Sequence, residues 1–312
     1  MSLELALPPR RLTATAAVEL ATTAERRGWG GVWVPEVLGL DALVISGVLA
    51  SITSRLRLGT SIVPITTRSV AVLGMAASTI AQLSAGRFCL GLGVSTPAIV
   101  DSRHDRPADP PLAVARGALE TLHAILRGEQ VTRDAHPAVD GLSIEPPDAP
   151  PQLFLAALGP KMLGLAYDLA DGAILNLLPM EAVRQHVARA QVAARDGFEN
   201  AMLARVCVDP TYEDRRKIDR EVASYCRVDV YARSFERCGY ETSGVRAADG
   251  LASAVAELPP GLADEVVIAG SADHCRERLA GIAAAGVTPI VMAAGTDDSI
   301  VRILGRVDPA PR

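Results

Sequence analysis

Short apolar runs alternate with amphipathic stretches along most of this chain. Residues 54–93 have the pattern of strand, loop, helix, glycine-containing turn and strand, and residues 154–172 that of strand, Gly-Pro turn, helix and Asp-Gly turn. Runs rich in Val, Ile and Leu between turn residues indicate strands that are buried on both faces and connected by helices. This alternation predicts a parallel α/β barrel with binding loops at the carboxyl ends of its strands.

The apolar runs predict eight strands and one short extra strand. These strands are expected at 3–7, 31–35, 55–63, 87–92, 152–157, 172–177, 203–208, 265–268 and 289–293. Helices are expected at 13–27, 41–51, 70–83, 112–126, 161–169, 181–195, 213–226 and 272–285, with a short last one near 301–304. Long irregular segments are expected after the fourth strand and at roughly 209–261, after the seventh. The second is interpreted as an insertion within a single domain over residues 1–312.

The composition suits such a barrel. The chain has 312 residues, of which 49% are apolar and 21% charged, and a barrel needs about 250 residues before insertions. Aromatic residues make up only 4%, so the core is expected to consist mainly of Ala, Val, Leu and Ile. The formal net charge of −5 gives no electrostatic reason to expect nucleic acid as a partner.

The cysteines and the lengths of the apolar runs indicate the cellular compartment of the protein. The five cysteines are odd in number and none forms a Cys-x-x-Cys pair, so neither a disulfide framework nor a metal site is expected. The amino terminus lacks the pattern of a secretory signal, and no apolar run reaches the ~18 residues of a membrane span. A cytoplasmic protein without a membrane partner is therefore predicted.

Two side chains near predicted strand ends are candidates for proton exchange. Glu36 follows the second strand, and the carboxyl end of a barrel strand is where catalytic groups lie. The alternative is a solvated or structural loop carboxylate. His104 lies in the long loop after the fourth strand, and histidine exchanges protons near neutral pH. Its alternative is an ordinary surface histidine.

Two backbone segments are candidates for ligand binding. The fourth strand ends in Gly91-Leu-Gly93-Val94-Ser95, where small residues let a ligand approach the backbone and Ser95 can donate a hydrogen bond. The segment Ala157-Leu-Gly159-Pro160-Lys161 opens a helix, whose free N–H groups and positive dipole end suit a phosphate. Taken alone, Gly-Pro is only a signal that a helix begins.

The motifs RLRLGTSIVPI, LSAGRFCLGLGVS, AALGPK and LADGAILN occur in this order. Together they resemble the bacterial luciferase-like oxidoreductases, in particular the branch that uses the deazaflavin coenzyme F420. The resemblance spans residues from about 13 to 295, and it implies a luciferase-like (β/α)8 TIM barrel.

The resemblance also implies roles for particular residues. At Thr60, Ser61 and Ile62 it implies a β-bulge, with a cis peptide bond between Ser61 and Ile62, that supports the back of the deazaflavin ring. Near Gly159, Pro160 and Lys161 it implies the cofactor phosphate, with Ala157, Val94 and Ser95 also close to the cofactor. Arg68 resembles a recurrent arginine that supports the fold or the substrate mouth.

The sequence departs from some members of the family at two positions. A histidine thought to act as a base in some members is replaced by Val37, and a glutamate after the fourth strand in others is replaced by Thr96 or a neighbour. The sugar-phosphate and alcohol substrates of those members are therefore not implied for this chain.

The resemblance implies hydride transfer between coenzyme F420 and a small organic substrate. Reduction of a C=C or C=N bond is favoured, because no strong base for alcohol oxidation is evident. The alternatives are an FMN-dependent monooxygenase on the same barrel and a barrel that binds a flavin or a partner without catalysis. A homodimer is expected, since members are often dimers and the Ala-rich helices after strands two and three offer a flat interface.

Overall fold

The computed structural model describes residues 3–37, 39–95, 110–132 and 139–307. The strands in these ranges are β1 (Glu4–Ala6), β2 (Gly31–Val34), β3 (Arg57–Thr60), β4 (Val63–Pro64), β5 (Phe88–Gly93), β6 (Gln152–Ala156), β7 (Gly172–Asn176), β8 (Glu199–Val208), β9 (Val267–Gly270) and β10 (Val287–Ala293). The helices are α1 (Ala14–Arg26), α2 (Ala42–Ile52), α3 (Val70–Leu83), α4 (Pro111–Leu126), α5 (Pro160–Leu169), α6 (Met180–Ala193), α7 (Tyr212–Cys226), α8 (Asp229–Arg237), α9 (Ser243–Ala247), α10 (Leu251–Ala256), α11 (Leu262–Val266), α12 (Ala272–Ala284) and α13 (Ser299–Arg306). A 3-10 turn covers Ile65–Thr67.

Eight parallel strands close into a barrel. The order is β1, β2, β3, β5, β6, β7, β8 and β10, and β10 pairs with both β8 and β1 to complete the ring. The short β4 pairs with β5, and β9 continues alongside the carboxyl half of β8. The predicted (β/α)8 barrel is confirmed. In the described ranges, no helix combines the length and apolar character needed to cross a bilayer.

Local signals place several helix ends where the sequence predicts them. Thr13 caps α1, because its side chain accepts a hydrogen bond from the Ala16 amide at 3.2 Å. Gly28 follows the helix with a φ of +78°, a conformation that glycine adopts without a steric penalty. The helix predicted at 70–83 is found as Val70–Leu83.

The structure corrects the prediction at three places. The predicted third strand is interrupted, so that β3 ends at Thr60 and β4 begins at Val63. The predicted irregular segment at 209–261 contains, besides the predicted helix α7, the helices α8 to α10, and together they bury an apolar cluster of their own against the barrel. The shorter of these helices have only five and six residues, too few to show a helical period in the sequence. Helix α11 also takes the first half of the strand predicted at 265–268.

Two aromatic rings fill the middle of the barrel. Trp33 and Phe154 meet edge to face, with ring centroids 5.7 Å apart. Each ring occupies the space that a side chain would take at the paired position of the neighbouring strand. A Cβ atom at Gly59 would lie 2.3 Å from the Trp33 ring, and one at Gly172 would lie 2.3 Å from the Phe154 ring. Glycine is therefore required at both positions by packing.

Charged side chains close the amino end of the barrel. Arg57 pairs with Glu199 at 2.8 Å and lies 3.6 Å from Glu4, which also accepts a hydrogen bond from the Trp33 indole. Burial raises the pKa of Glu4 above its usual value. The Arg57 guanidinium also lies over the rings of Trp33 and Phe154, at 5.5 and 5.1 Å. This cluster is expected to serve stability, since active sites of such barrels form at the opposite end.

Asp214 ties the insertion to the last part of the chain. Its side chain is fully buried, caps α7 together with Thr211, and accepts hydrogen bonds from the amide and hydroxyl of Thr296, both at 2.7 Å. Arg302 of α13 donates to the same carboxylate at 2.8 Å. One buried carboxylate thus links the start of α7 to the segment that follows β10.

We expect Gly59→Ala to lower the free energy of unfolding by about 1–3 kcal/mol, because the added methyl group overlaps the Trp33 ring. Gly117→Ala is the matched control. A Cβ atom at Gly117 in α4 has no neighbour within 4 Å, so this helical glycine should tolerate alanine or gain about 0.5–1 kcal/mol. Urea unfolding of both variants measures the difference. Equal stability of the two variants would contradict the packing role of Gly59.

We expect Asp214→Asn to lower the free energy of unfolding by about 2–4 kcal/mol at neutral pH. Burial by itself would raise the pKa of Asp214, but hydrogen bonds from Thr296 and Thr211 outweigh it and hold the pKa below 3.8. As the pH falls below that value, the unfolded chain takes up the proton first, so the advantage of wild type should shrink.

Urea unfolding between pH 7 and pH 3 tests this pH dependence, since the asparagine variant lacks the titrating group. Asp273→Asn is the control, because that side chain is 92% exposed and pairs with Arg276 at the surface. Its effect should stay below about 1 kcal/mol. A gap between wild type and Asp214→Asn that is constant with pH would contradict the assignment.

Candidate active site

The residues predicted to bind a cofactor lie at or beyond the carboxyl ends of β3, β5 and β6, which meet at one mouth of the barrel. In a parallel barrel this is the end at which the connecting loops form active sites. Small residues line this end. Ser61, Gly93 and Ala156 follow or end three of the strands, and the Ile62 side chain occupies the space beside Gly93.

A bulge separates β3 from β4. The peptide bond between Ser61 and Ile62 is cis, as the family resemblance implies. The Ser61 amide donates to the Val34 carbonyl at 3.0 Å, and the Glu36 amide donates to the Ile62 carbonyl at 3.3 Å. Both bonds attach the bulge to the end of β2.

Thr60 holds the bulge from behind. Its hydroxyl donates to the Gly91 carbonyl at 2.8 Å and accepts from the Gly91 amide at 2.9 Å, replacing regular strand pairing there. A Cβ atom at Gly91 would lie 1.8 Å from the Thr60 carbonyl oxygen, so this close approach requires glycine. Thr60 itself is fully buried. Thr60 is predicted to contact a cofactor directly, but it has no exposed atom with which to do so. Its hydrogen bonds to Gly91 support an indirect role, in which it holds the bulge in place.

Ser61 carries a hydroxyl group without a partner. The residue is only 6% exposed, and its Oγ makes no hydrogen bond within the described chain. A buried hydroxyl that is left unpaired costs free energy, so such groups usually await a ligand or water. The adjacent Ile62 is half-buried and packs against the apolar barrel interior. Ser61 and Ile62 therefore fit a ligand that offers a polar atom beside a flat apolar face.

The amino end of α5 is open. Gly159 caps this helix without a side-chain hydrogen bond, and a Cβ atom there would have no neighbour within 4 Å. Pro160 and Lys161 are exposed at the first turn. Free amides, a positive helix end and a lysine together suit an anion. Ala157 is buried, with 2% exposure, and its amide donates to the Ile174 carbonyl at 3.2 Å. It therefore contributes to the packing behind this helix end.

The end of β5 provides two further backbone positions. Val94 is partly buried and packs against the core, and Ser95 has a φ of +59°. Thr96 and His104 lie outside the described residues, as do Asp101 and Asp105 beside His104. A role for His104 therefore stays a prediction.

Glu36 is held in an ion pair. Arg68 donates to both of its carboxylate oxygens, at 2.6 and 2.8 Å, and the Ala42 amide donates at 3.0 Å. Arg68 also pairs with Asp41, the cap of α2, and its pKa is raised by the hydrogen bond to Glu36 despite partial burial. This arrangement favours a structural role at the mouth, in agreement with the role that the resemblance implies for Arg68. Proton exchange by Glu36 stays a prediction.

A polar network at the ends of β7 and β8 is absent from the sequence-based predictions. Arg205, 4% exposed, donates to Glu221 at 2.6 Å, to Tyr225 at 3.1 Å and to Asn176. The Asn176 amide donates to the Tyr231 hydroxyl at 2.6 Å. The signal that could reveal this network is a polar residue next to apolar ones on a strand. Asn176 ends the apolar run GAILN, and Arg205 interrupts the apolar run MLARVCV.

The described part of the chain contains no group of three or more His, Cys, Asp or Glu side chains placed to hold a metal ion. All five cysteines have free thiols.

A closed (β/α)8 barrel with an unpaired hydroxyl and an open helix end at its carboxyl mouth defines a barrel enzyme that binds a ligand there. The chain belongs to the luciferase-like monooxygenase family, whose model matches residues 4–289. The sequence-based prediction of a luciferase-like enzyme is thereby confirmed.

Relatives in this family align over most of the chain. A Mycobacterium tuberculosis protein with the provisional name coenzyme F420-dependent oxidoreductase is 28% identical over 90% of this chain and 91% of its own length. The 5,10-methylenetetrahydromethanopterin reductase of Methanolobus tindarius is 27% identical over 87% of each chain.

Solved structures show the same fold. The coenzyme F420-dependent tetrahydromethanopterin reductase of Methanopyrus kandleri superposes with a TM-score of 0.76, at 19% identity, over 98% of this chain and 97% of its own. A type II Baeyer-Villiger monooxygenase of Pseudomonas putida in complex with FMN superposes with a TM-score of 0.66, at 16% identity, over 100% and 99% of the two chains.

Proposed function

We propose that this protein is a coenzyme F420-dependent oxidoreductase that transfers a hydride between the deazaflavin and a small organic substrate. The observation that carries the proposal is the buried, unpaired hydroxyl of Ser61 on the bulge after β3. It provides a hydrogen-bonding group at the position where the family resemblance implies the ring. The names of the relatives that align over most of the chain support coenzyme F420 as the cofactor.

The residues at the mouth fit such a cofactor. Ser61 and Ile62 would hold the ring, with Val94 and Ser95 beside it. Gly159, Pro160 and Lys161 would hold the phosphate at the open end of α5, where no described side chain caps the free amides. When bound, the deazaflavin supplies the hydride chemistry. The chain contributes binding, orientation and exclusion of water.

We propose reduction of a C=C or C=N bond as the direction of the reaction. Oxidation of an alcohol needs a base, and Val37 stands where some relatives carry a histidine. Both oxygens of Glu36 already accept hydrogen bonds from Arg68, so Glu36 would need to leave this ion pair to act as a base. His104 remains the other predicted site of proton exchange.

Purified cofactor-free protein should bind coenzyme F420 with micromolar or tighter affinity and bind FMN more weakly. Fluorescence titration with each cofactor measures the two affinities. Preference for FMN would favour the monooxygenase alternative, and binding of neither would contradict the cofactor assignment. Binding of F420 without turnover on any carbonyl, enone or imine would favour a non-catalytic barrel.

Ser61→Ala tests the part of the site that carries the proposal. We expect it to weaken F420 binding by about fivefold without lowering the free energy of unfolding, because the lost hydroxyl has no partner among the residues that the structure describes. Ser46→Ala is the matched control, since Ser46 in α2 also has a buried and unpaired hydroxyl but lies outside the mouth. Equal F420 affinity of the two variants would contradict the role of Ser61.

We further propose that two copies of the chain associate through α2 and α3. Neither helix contains a charged residue, although 21% of the whole chain is charged. Large apolar side chains are nevertheless exposed on their outer surfaces, among them Val44 at 64%, Val48 at 42% and Met75 at 44%. In a two-fold dimer each face meets its own copy, so an uncharged face avoids like-charge repulsion.

Light scattering during size-exclusion chromatography should give a dimer mass for wild type at micromolar concentration. Val48→Glu should shift the protein to monomers, because it places like charges opposite each other in the interface. Val192→Glu is the matched control, since Val192 is 89% exposed on α6, away from this face. A monomer mass for wild type would rule out the proposed association.

A further inference from the structure

Arg205 sets the direction of every hydrogen bond in the network at the ends of β7 and β8. A guanidinium group can only donate. Glu221, Asn176 and Tyr225 must therefore each accept from Arg205 through an oxygen atom. The charge of the buried Arg205 is balanced by the partly exposed Glu221, so the network keeps one fixed polarity around this ion pair.

This polarity leaves two phenol hydrogens without an acceptor. The Tyr225 oxygen accepts from Arg205, so the hydrogen of that hydroxyl is not used in the bond. The Asn176 carbonyl oxygen also accepts from Arg205, which turns the amide nitrogen toward Tyr231 and makes its oxygen an acceptor as well. Within the described chain, neither hydroxyl donates to any group.

The two phenols lie side by side at the mouth. Asn176 and Arg205 follow Ile174 and Leu203 by two positions along their strands, so each shares a strand face with a residue of the apolar cluster inside the barrel. The rings of Tyr225 and Tyr231 meet edge to face, with centroids 4.7 Å apart. Tyr225 is half-buried, whereas Tyr231 is 9% exposed and burial raises its pKa, so it remains a protonated donor.

We infer that Tyr225 and Tyr231 donate hydrogen bonds to an acceptor atom of the substrate, namely a carbonyl oxygen or imine nitrogen that is part of, or conjugated to, the bond being reduced. This inference rests on the proposed function and narrows its substrate class. In the reduction of an enone, the β-carbon takes up a hydride supplied by the reduced deazaflavin. The π electrons move onto the oxygen, and water supplies the proton. The two phenols, backed by the Arg205 cation, stabilise the charge that develops on that oxygen.

Cyclohex-2-enone labelled with ¹³C at the carbonyl is a direct probe, and cyclohexene is its counterpart without an acceptor. In NMR titrations of the full-length chain without cofactor, the enone carbonyl signal should move downfield on binding. Tyr225→Phe should reduce this shift and weaken enone binding by about fivefold, with a similar effect for Tyr231→Phe. The affinity for cyclohexene should not change.

Tyr212→Phe is the matched control, because Tyr212 begins the same helix and is 80% exposed. It should behave as wild type, and thermal unfolding of each variant establishes that the fold is retained. No enone binding by wild type, or an equal shift and affinity in Tyr225→Phe, would overturn the inference. Because the titration contains no cofactor, its outcome is independent of whether the protein binds F420.

Discussion

The packing of Trp33 against Gly59 decides how the space inside this barrel is shared. The indole ring and the Phe154 ring occupy the middle of the barrel because glycines face them, and a methyl group at either glycine would lie 2.3 Å from a ring atom. Arg57 covers both rings from the amino end. The Trp33 and Phe154 side chains are thereby held toward the amino end that Arg57 covers, away from the carboxyl mouth.

The polar side chains at the two ends of the barrel also differ in their hydrogen bonding. At the amino end, Arg57, Glu4 and Glu199 satisfy one another, as a structural cluster must in a low-dielectric interior. At the mouth, the Ser61 hydroxyl has no partner among the described residues, and the Tyr225 and Tyr231 oxygens act as acceptors in the hydrogen bonds found there. Unpaired buried donors destabilise a fold unless a ligand meets them. These groups are therefore available to a ligand at the carboxyl end of the barrel.

The barrel and its insertion contribute different parts of the site. The strand ends and α5 offer the bulge, the small residues and the open helix end that suit the cofactor expected for this family. The insertion supplies Tyr225 from α7 and Tyr231 from α8, which approach Arg205 and Asn176 of the barrel. This division agrees with the general behaviour of barrels, in which a constant frame carries variable segments that select the substrate.

The sequence by itself determined the elements whose signals are local. The apolar period predicted Val70–Leu83, the order of strands and helices predicted the barrel, and the motif at Ser61 and Ile62 implied the cis bond that is present. Only the tertiary structure decided the partners of side chains. Glu36 meets Arg68 across 32 positions and Asn176 meets Tyr231 across 55. Such pairs depend on strand register and on closure of the barrel, which are set by packing over the whole chain and leave no trace in the local pattern.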